Sequence, residues 1–423
     1  MNEIEAVGVG VLAGTAPGEE GRTSERPWLF GLLVAPMAVL ANGIIQGVLS
    51  FLMRRQGVGV GRSSEIISLL ILPQTIYFLW SPITDFLMRR RTWLMMGSVA
   101  AGVLMALAFH QKNLASHTAV AVLFLSACCG QLVVSGCGGM MGALRIERSR
   151  RIAGSFYQGG SLAFGAIAIF VLAMLAERMG QGMLGIVAGA LIAVPSLLAL
   201  AAPEQKLITT ERLGQTIGRI GSEFKNTFWR WKAIPYTLTM LFPIASGSAI
   251  GLLPSVAQDY GVNVHQMAWM NGVAGALLMA AGSLAATLIP ARIRASVGYL
   301  TVALINAATL GILWLGPQRP TTYYLGVTLY LFTIGTCYAM FTAVVLEFLG
   351  YSGKSGSGRY SIINSLGNVP VAYMTALDGW GGNRWGARGL SGTEAVAGAV
   401  GASILLAYFL TRKTQTAEVL IAP

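Results

Sequence analysis

The stretch Phe78-Leu79-Trp80-Ser81-Pro82-Ile83-Thr84-Asp85 ends one apolar run, and Arg89-Arg90-Arg91-Thr92-Trp93 begins the next. Apolar runs of this kind predict helices buried in lipid. An arginine cluster in a short loop between two such helices indicates that the loop lies on the cytoplasmic side. Asp85 is therefore predicted at the end of a helix, close to three positive charges.

The composition agrees with a chain that is embedded in a membrane. Of the 423 residues, 54% are hydrophobic and 11% are charged, whereas soluble proteins carry about 25% charged residues. The net charge of +12 lies in loops beside apolar runs, so anchoring and orientation explain it better than binding to nucleic acid. The four cysteines lie inside apolar runs, which favours packing residues over disulfides or a metal site. No cofactor is expected.

Twelve apolar segments predict an all-α polytopic membrane protein. Each segment approaches or exceeds the ~20 residues that a helix needs to cross a bilayer. Short loops between them make neighbouring helices antiparallel. The predicted spans are 28–52, 64–84, 93–110, 118–143, 152–176, 182–202, 233–258, 266–289, 296–315, 322–348, 360–378 and 393–411.

The longest polar gap, residues 203–232, divides the spans into six and six. This division predicts two six-helix bundles, 28–202 and 233–411, joined by a linker that contains an amphipathic basic helix. Tails are predicted at 1–27 and 412–423. If the N-terminus is inside, 21 of the 29 Lys and Arg residues fall on the cytoplasmic side and 8 on the other. This asymmetry predicts that both termini are cytoplasmic in a multi-pass protein of the inner (plasma) membrane.

The motif of residues 78–93 resembles the loop between the second and third helices of major facilitator superfamily transporters. In that loop an acid and basic residues form a cytoplasmic latch. The Trp-Ser-Pro-x-x-Asp form, followed by Trp93, is similar to one branch, which holds AmpG-type muropeptide permeases, acetyl-coenzyme A transporters and siderophore permeases. Ser81 stands where the facilitator loop normally has glycine. The resemblance implies a gate formed by Asp85, Arg89, Arg90 and Arg91.

Muropeptide permeases carry acids within the fourth helix that are taken to handle protons, but the corresponding run here, residues 127–135, contains no acid. None of the seventeen acids is expected at the middle of a span. The departure speaks against that coupling mechanism and against muropeptide as the solute. Either coupling uses acids near the mouths of the cavity, or transport is downhill. The candidates for proton coupling are Glu347 at the inner end of the tenth span, and Asp259 and Asp378 at the outer ends of the seventh and eleventh.

Neutral polar residues inside the spans are the stronger candidates for a binding site. A side-chain amide that faces acyl chains loses its hydrogen bonds at a cost of several kcal/mol, so it should face another helix or a wet cavity. The alternative role of each is an interhelical hydrogen bond, worth ~0.6 kcal/mol. The predicted substrate-binding residues are Asn42, Gln46, Gln74, Tyr77, Gln131, Ser135, Tyr157, Gln158, Asn271, Asn364 and Asn368.

Together these patterns predict a monomeric secondary transporter and no enzyme. Gly353-Lys354-Ser355 lacks the earlier glycine of a phosphate-binding loop, since that position is Phe348. The resemblance implies alternating access for an amphipathic solute such as a cell-wall fragment, an acyl-coenzyme A or a siderophore. A facilitator for drugs or metabolites and a receptor that does not transport are the alternatives. The expected partners are a small-molecule solute, the lipid bilayer and, where transport is coupled, protons.

Overall fold

A computed structural model describes residues 26–77, 84, 88–142, 144, 147–202, 218, 222, 228, 233–290, 292–349 and 356–411. Within these ranges the chain forms helices joined by short loops and contains no strand. The all-α prediction is therefore confirmed.

Most helices follow the predicted spans to within a few residues, with two exceptions that are described below. The second span was predicted to end at 84, but α2 ends at Thr75 and residues 78–83 lie outside the described residues. The first helix contains a π-helical stretch, Ala38–Val48. The bounds are α1 Leu29–Arg55, α2 Val60–Thr75, α3 Arg90–His110, α4 His117–Gly142, α5 Glu147–Leu175, α6 Gln181–Ala201, α7a Ile234–Leu241, α7b Ala249–Val256, α8 Val264–Leu288, α9 Ala295–Leu315, α10 Pro320–Leu349 and α11 Gly356–Thr411.

Nine helices in the described part of the chain are long and apolar enough to cross a membrane. One of them, α11, is longer than any single span needs to be. Its backbone breaks at Trp385 and Gly386, where the φ angles are −129° and 66°. The break divides it into α11a (356–384) and α11b (387–411). The nine helices agree with a multi-pass membrane protein, while the count of twelve spans in two bundles stays a prediction.

The seventh predicted span, 233–258, was wrong as a continuous helix. Between α7a and α7b the backbone is non-helical, with φ angles of 46° at Ala245 and 76° at Gly247. This left-handed region suits glycine and costs energy for other residues. Two tyrosines from distant helices bind carbonyl groups at the break: Tyr299 donates to Ile244 O at 2.8 Å, and Tyr373 donates to Leu241 O at 2.8 Å.

Burial is distributed as lipid requires. Large apolar side chains such as Leu277 and Leu284 are 65% and 71% exposed, which water would penalise and acyl chains do not. Polar side chains such as Gln131 and Asn306 are buried between helices.

Several predicted segments lie outside the described residues. These are the N-terminal tail up to residue 25, the linker 203–232 apart from positions 218, 222 and 228, and the tail after 411. Asp85 also lies outside the described residues. The predictions for these segments are therefore neither supported nor contradicted.

Candidate functional site

A cavity of about 340 Å³ lies between the N-terminal half (26–202) and the C-terminal half (233–411). Side chains of α1, α2, α4 and α5 line it from one half, and side chains of α7b, α8, α10 and α11a line it from the other. None of its lining residues in the described part of the chain is charged. The cavity therefore offers apolar surface and neutral hydrogen-bonding groups to whatever occupies it.

The structure brings most of the predicted substrate-binding residues to this cavity. Gln131 and Ser135 do not line it, because both are 2% exposed and lie buried within the helix packing. Tyr77 lies outside the lining, and the side chain of Asn364 lies outside the described residues. That the lining residues bind a solute stays a prediction. The predicted residues that line the cavity are Asn42, Gln46, Gln74, Tyr157, Gln158, Asn271 and Asn368.

Five of the six lining amides divide into two groups by the hydrogen bonds of their side chains. Asn42 Nδ2 donates to Ser161 Oγ at 3.0 Å, and Asn271 Nδ2 donates to Tyr323 OH at 2.8 Å. These two asparagines hold helices together, which is the alternative role that sequence reasoning left open. A second group has no hydrogen-bond partner among the described residues and keeps free donors and acceptors at the cavity. This group consists of Gln46, Gln74 and Gln158.

Two hydrogen bonds from serine hydroxyl groups join the two halves. Ser50 Oγ donates to Gly251 O at 2.6 Å, and Ser68 Oγ donates to Ala372 O at 2.6 Å. Two contacts between polar side chains also cross between the halves. They are the ion pair Arg54–Asp259 at 3.7 Å and the contact of His265 Nε2 with the carboxyl group of Glu177 at 3.3 Å.

The predicted gate is described only in part. Arg90 donates a hydrogen bond to the carbonyl group of Gly139 on α4. Arg89 is exposed and Arg91 is partly buried. Because Asp85 lies outside the described residues, the latch between it and the arginines stays a prediction.

Two of the three proton-coupling candidates are engaged at helix ends. Glu347 accepts the backbone N–H of Ser296 at 3.0 Å in the first turn of α9, and Arg294 lies 3.5 Å from the same carboxyl group. A carboxylate at this position stabilises the positive end of the helix. Asp259 forms the ion pair with Arg54. Both acids therefore already have structural partners.

The structure corrects two placements of acids, since Asp378 was predicted at the outer end of the eleventh span and Glu394 was assigned to a loop. Asp378 is fully buried and Glu394 is 3% exposed, and both lie within helices. Asp378 stands six residues before residue 384, where α11a ends, about 9 Å along the helix. Glu394 stands seven residues after the start of α11b, about 10 Å along it. Asp378 is thus not at a helix end, and Glu394 is not in a loop.

The glycine-rich sequence of this region explains the error. Residues 379–392 contain six glycines, which is typical of a loop. In the structure these glycines instead let helices approach closely. A Cβ atom on Gly379 would overlap Ser64 of α2, and one on Gly389 would overlap the carbonyl oxygen of Gly381. Reading the glycines as helix-packing residues, which they often are in membrane helices, would have located both acids.

Comparisons with known proteins add no assignment. No protein-family model matches the chain, and no curated protein matches it. The fold and the cavity thus define the class, a chain whose described part is all-helical with nine candidate membrane spans, and the family resemblance stays a proposal.

Proposed function

We propose that this chain is a secondary transporter of the major facilitator type, with twelve spans in two six-helix bundles. The observation that carries the proposal is the uncharged cavity that both halves line. In such transporters the solute site lies between the repeats, and rocking of one half against the other exposes it to each side in turn. Asp85 with Arg89, Arg90 and Arg91 would hold the inner gate.

The chemistry of the cavity supports an amphipathic solute that is neutral where it is bound. Gln46, Gln74 and Gln158 offer hydrogen bonds, and Met37 and Leu331 offer apolar contact. The volume of about 340 Å³ is near the lower end of the range of about 300–1,000 Å³ for ligand sites. In this conformation the cavity therefore fits a small solute or one end of a larger one.

The contacts between the halves support alternating access. The hydroxyl-to-carbonyl bond from Ser50 to Gly251 and the ion pair Arg54–Asp259 join the two halves. Exposed ion pairs contribute little, about 0–1 kcal/mol each, so such contacts can form and break during a cycle. Exposed ion pairs of this kind suit a gate, because they cost little to break.

We expect Gln74→Ala to weaken solute uptake. Loss of one hydrogen bond to the solute, about 1.4 kcal/mol, should raise the KM about tenfold. The measurement is uptake into proteoliposomes from a panel of neutral amphipathic solutes, with and without a proton gradient. Gln258→Ala is the matched control, because Gln258 is exposed at the end of α7b and does not line the cavity. No uptake of any solute by the wild-type protein, or equal effects of the two substitutions, would contradict the proposal.

A further inference from the structure

Two carboxyl groups meet at the break in the seventh helix. Asp378 of α11a and Glu394 of α11b are both buried, and both are bound to the segment between α7a and α7b. The N–H of Ala249, the first residue of α7b, donates to Glu394 Oε2 at 2.8 Å. The positive end of a half-helix therefore points at this carboxyl group.

One atom of this cluster points to a ligand. Asp378 Oδ1 is buried and has no hydrogen-bond partner in the described part of the chain. A buried polar atom without a partner costs about 1–3 kcal/mol, and more when it is charged. The other oxygen of the same carboxyl group accepts a single hydrogen bond, from Ser248 Oγ. The Asp378 carboxyl group thus accepts too few hydrogen bonds to stabilise a negative charge. Protonation would remove that charge.

Glu394 has the opposite surroundings. Its Oε1 accepts from Ser246 Oγ at 3.0 Å and from Tyr330 OH at 3.1 Å, and its Oε2 accepts from Ala249 N–H. Three donors to a carboxylate stabilise the charged form. When one of the two carboxyl groups carries a proton, that proton therefore belongs on Asp378.

The number of hydroxyl protons in the cluster also indicates that one of the carboxyl groups carries a proton. Three contacts run in a chain: from Asp378 to Ser248, from Ser248 to Ser246 at 3.0 Å, and from Ser246 to Glu394. The two serines have only two hydroxyl protons for these three contacts. One further proton completes the chain, because Asp378 then donates to Ser248, Ser248 to Ser246, and Ser246 to Glu394.

No cation in the described residues balances the two acids. No Lys, Arg or His there forms an ion pair with either carboxyl group. Two buried negative charges without a counter-ion are strongly unfavourable, whereas a single charge on Glu394 has three donors. Helix α7b, residues 249–256, contains no titratable residue. Five helices contact α11, and those other than α7b carry titratable side chains. Arg62 and Glu65 of α2 pair with each other at 3.0 Å. The others are Tyr236 of α7a, Tyr299 of α9, and Tyr323, Tyr324, Tyr330, Cys337, Tyr338 and Glu347 of α10.

Tyr338 connects this cluster with the central cavity. It lines the cavity and is 41% exposed there. A Cβ atom on Gly247 would overlap its hydroxyl group, so the tyrosine lies directly against the residue between Ser246 and Ser248. A change in the hydrogen bonds of these serines that shifts Gly247 would therefore also shift Tyr338 in the wall of the cavity.

We propose that Asp378 and Glu394 form a proton-binding site that the break in the seventh helix couples to the cavity. Asp378 takes one proton from a hydronium ion: an O–H bond of the hydronium ion breaks, an O–H bond to the carboxyl group forms, and a neutral water molecule is left. Release is the reverse transfer to water, and no oxidation state changes. The coupling to solute movement rests on the proposed transport function, whereas the binding of the proton does not.

The test is infrared spectroscopy of the purified full-length protein over a pH series from about pH 4 to pH 10. The carbonyl stretch of a protonated carboxylic acid is separate from the bands of a carboxylate. We expect the wild-type protein to show such a band at neutral pH and to lose it as the pH rises. Asp378→Asn should abolish the band and keep the fold, since the amide donates to Ser248 as the protonated acid does. The control Glu65→Gln, at an exposed position, should leave the band unchanged.

Several results would overturn the assignment. A band that survives Asp378→Asn, or that disappears instead in Glu347→Gln or Asp259→Asn, would place the proton elsewhere. Loss of the band on addition of Na⁺ at constant pH would show that the site binds a cation in place of the proton. Glu394→Gln distinguishes the two acids, because an amide has one acceptor oxygen and cannot accept from the three donors that the carboxylate serves, so this substitution should weaken the fold. These measurements need no solute, so they can succeed or fail independently of the uptake test.

Discussion

Oxidation should stop solute uptake when Phe170→Cys and Gly272→Cys are combined in a chain whose four native cysteines are replaced by serine. These positions lie on α5 and α8, which belong to different halves. A Cβ atom on Gly272 would stand 3.5 Å from Cβ of Phe170, within the range of about 3.5–4.5 Å for a disulfide. If the halves must separate at this face during each cycle, the cross-link should reduce uptake to the level of empty liposomes, and a reductant should restore it.

A cross-link inside one half is the matched control. Gly382→Cys with Leu390→Cys joins α11a to α11b, since a Cβ atom on Gly382 would stand 3.4 Å from Cβ of Leu390. Rocking of the halves as units leaves this distance unchanged, so oxidation of the control should preserve uptake. Full uptake with the complete cross-link between positions 170 and 272 would rule out separation of the halves at this face.

The positions of most helices could be predicted because lipid imposes a length and a composition on them. The ninth span was predicted at 296–315, and α9 is Ala295–Leu315. The break in the seventh helix could not be predicted in the same way. Pro243 lies inside the predicted span, but membrane helices tolerate proline. The hydroxyl groups of Tyr299 and Tyr373 donate to carbonyl groups at the break. Both tyrosines lie more than fifty residues further along the chain, so the local sequence does not reveal them.

The residues of the candidate site could be predicted from their chemical type, but not from the direction in which each helix presents them. Amides such as Gln46 and Gln74 were selected because lipid excludes them, and the structure places both at the cavity. The same argument selected Gln131, which is buried in the helix packing. Gln131 lies on α4, and the rotation of this helix about its own axis decides whether Gln131 faces the cavity or the helix packing. That rotation depends on the neighbouring helices. Glu394 was missed for a different reason, since a predicted boundary six residues too late left it at the edge of a loop.

Gly282→Leu should have the largest effect on stability. Here α8 and α10 approach so closely that a Cβ atom on Gly282 would overlap the carbonyl oxygen of Phe332, and one on Gly335 would overlap that of Met279. Two reciprocal hydrogen bonds depend on this distance: Thr336 Oγ1 donates to Gly282 O at 2.8 Å, and Ser283 Oγ donates to Gly335 O at 3.0 Å. Since the obstacle is backbone, no change of rotamer relieves it.

We expect Gly282→Leu to destabilise the fold by about 3 kcal/mol or more. The loss should appear as a lower midpoint of thermal unfolding and a smaller monodisperse fraction after extraction in detergent. Gly311→Leu on α9 is the matched control, because nothing lies within 4 Å of a Cβ atom added there. Leucine favours helix over glycine by about 0.8 kcal/mol, so the control should be neutral or stabilising. If Gly282→Leu and Gly311→Leu had the same unfolding midpoint and the same monodisperse fraction, α8 and α10 would not be packed as closely as the structure has them. The wall of the cavity that these two helices form would then need a different arrangement.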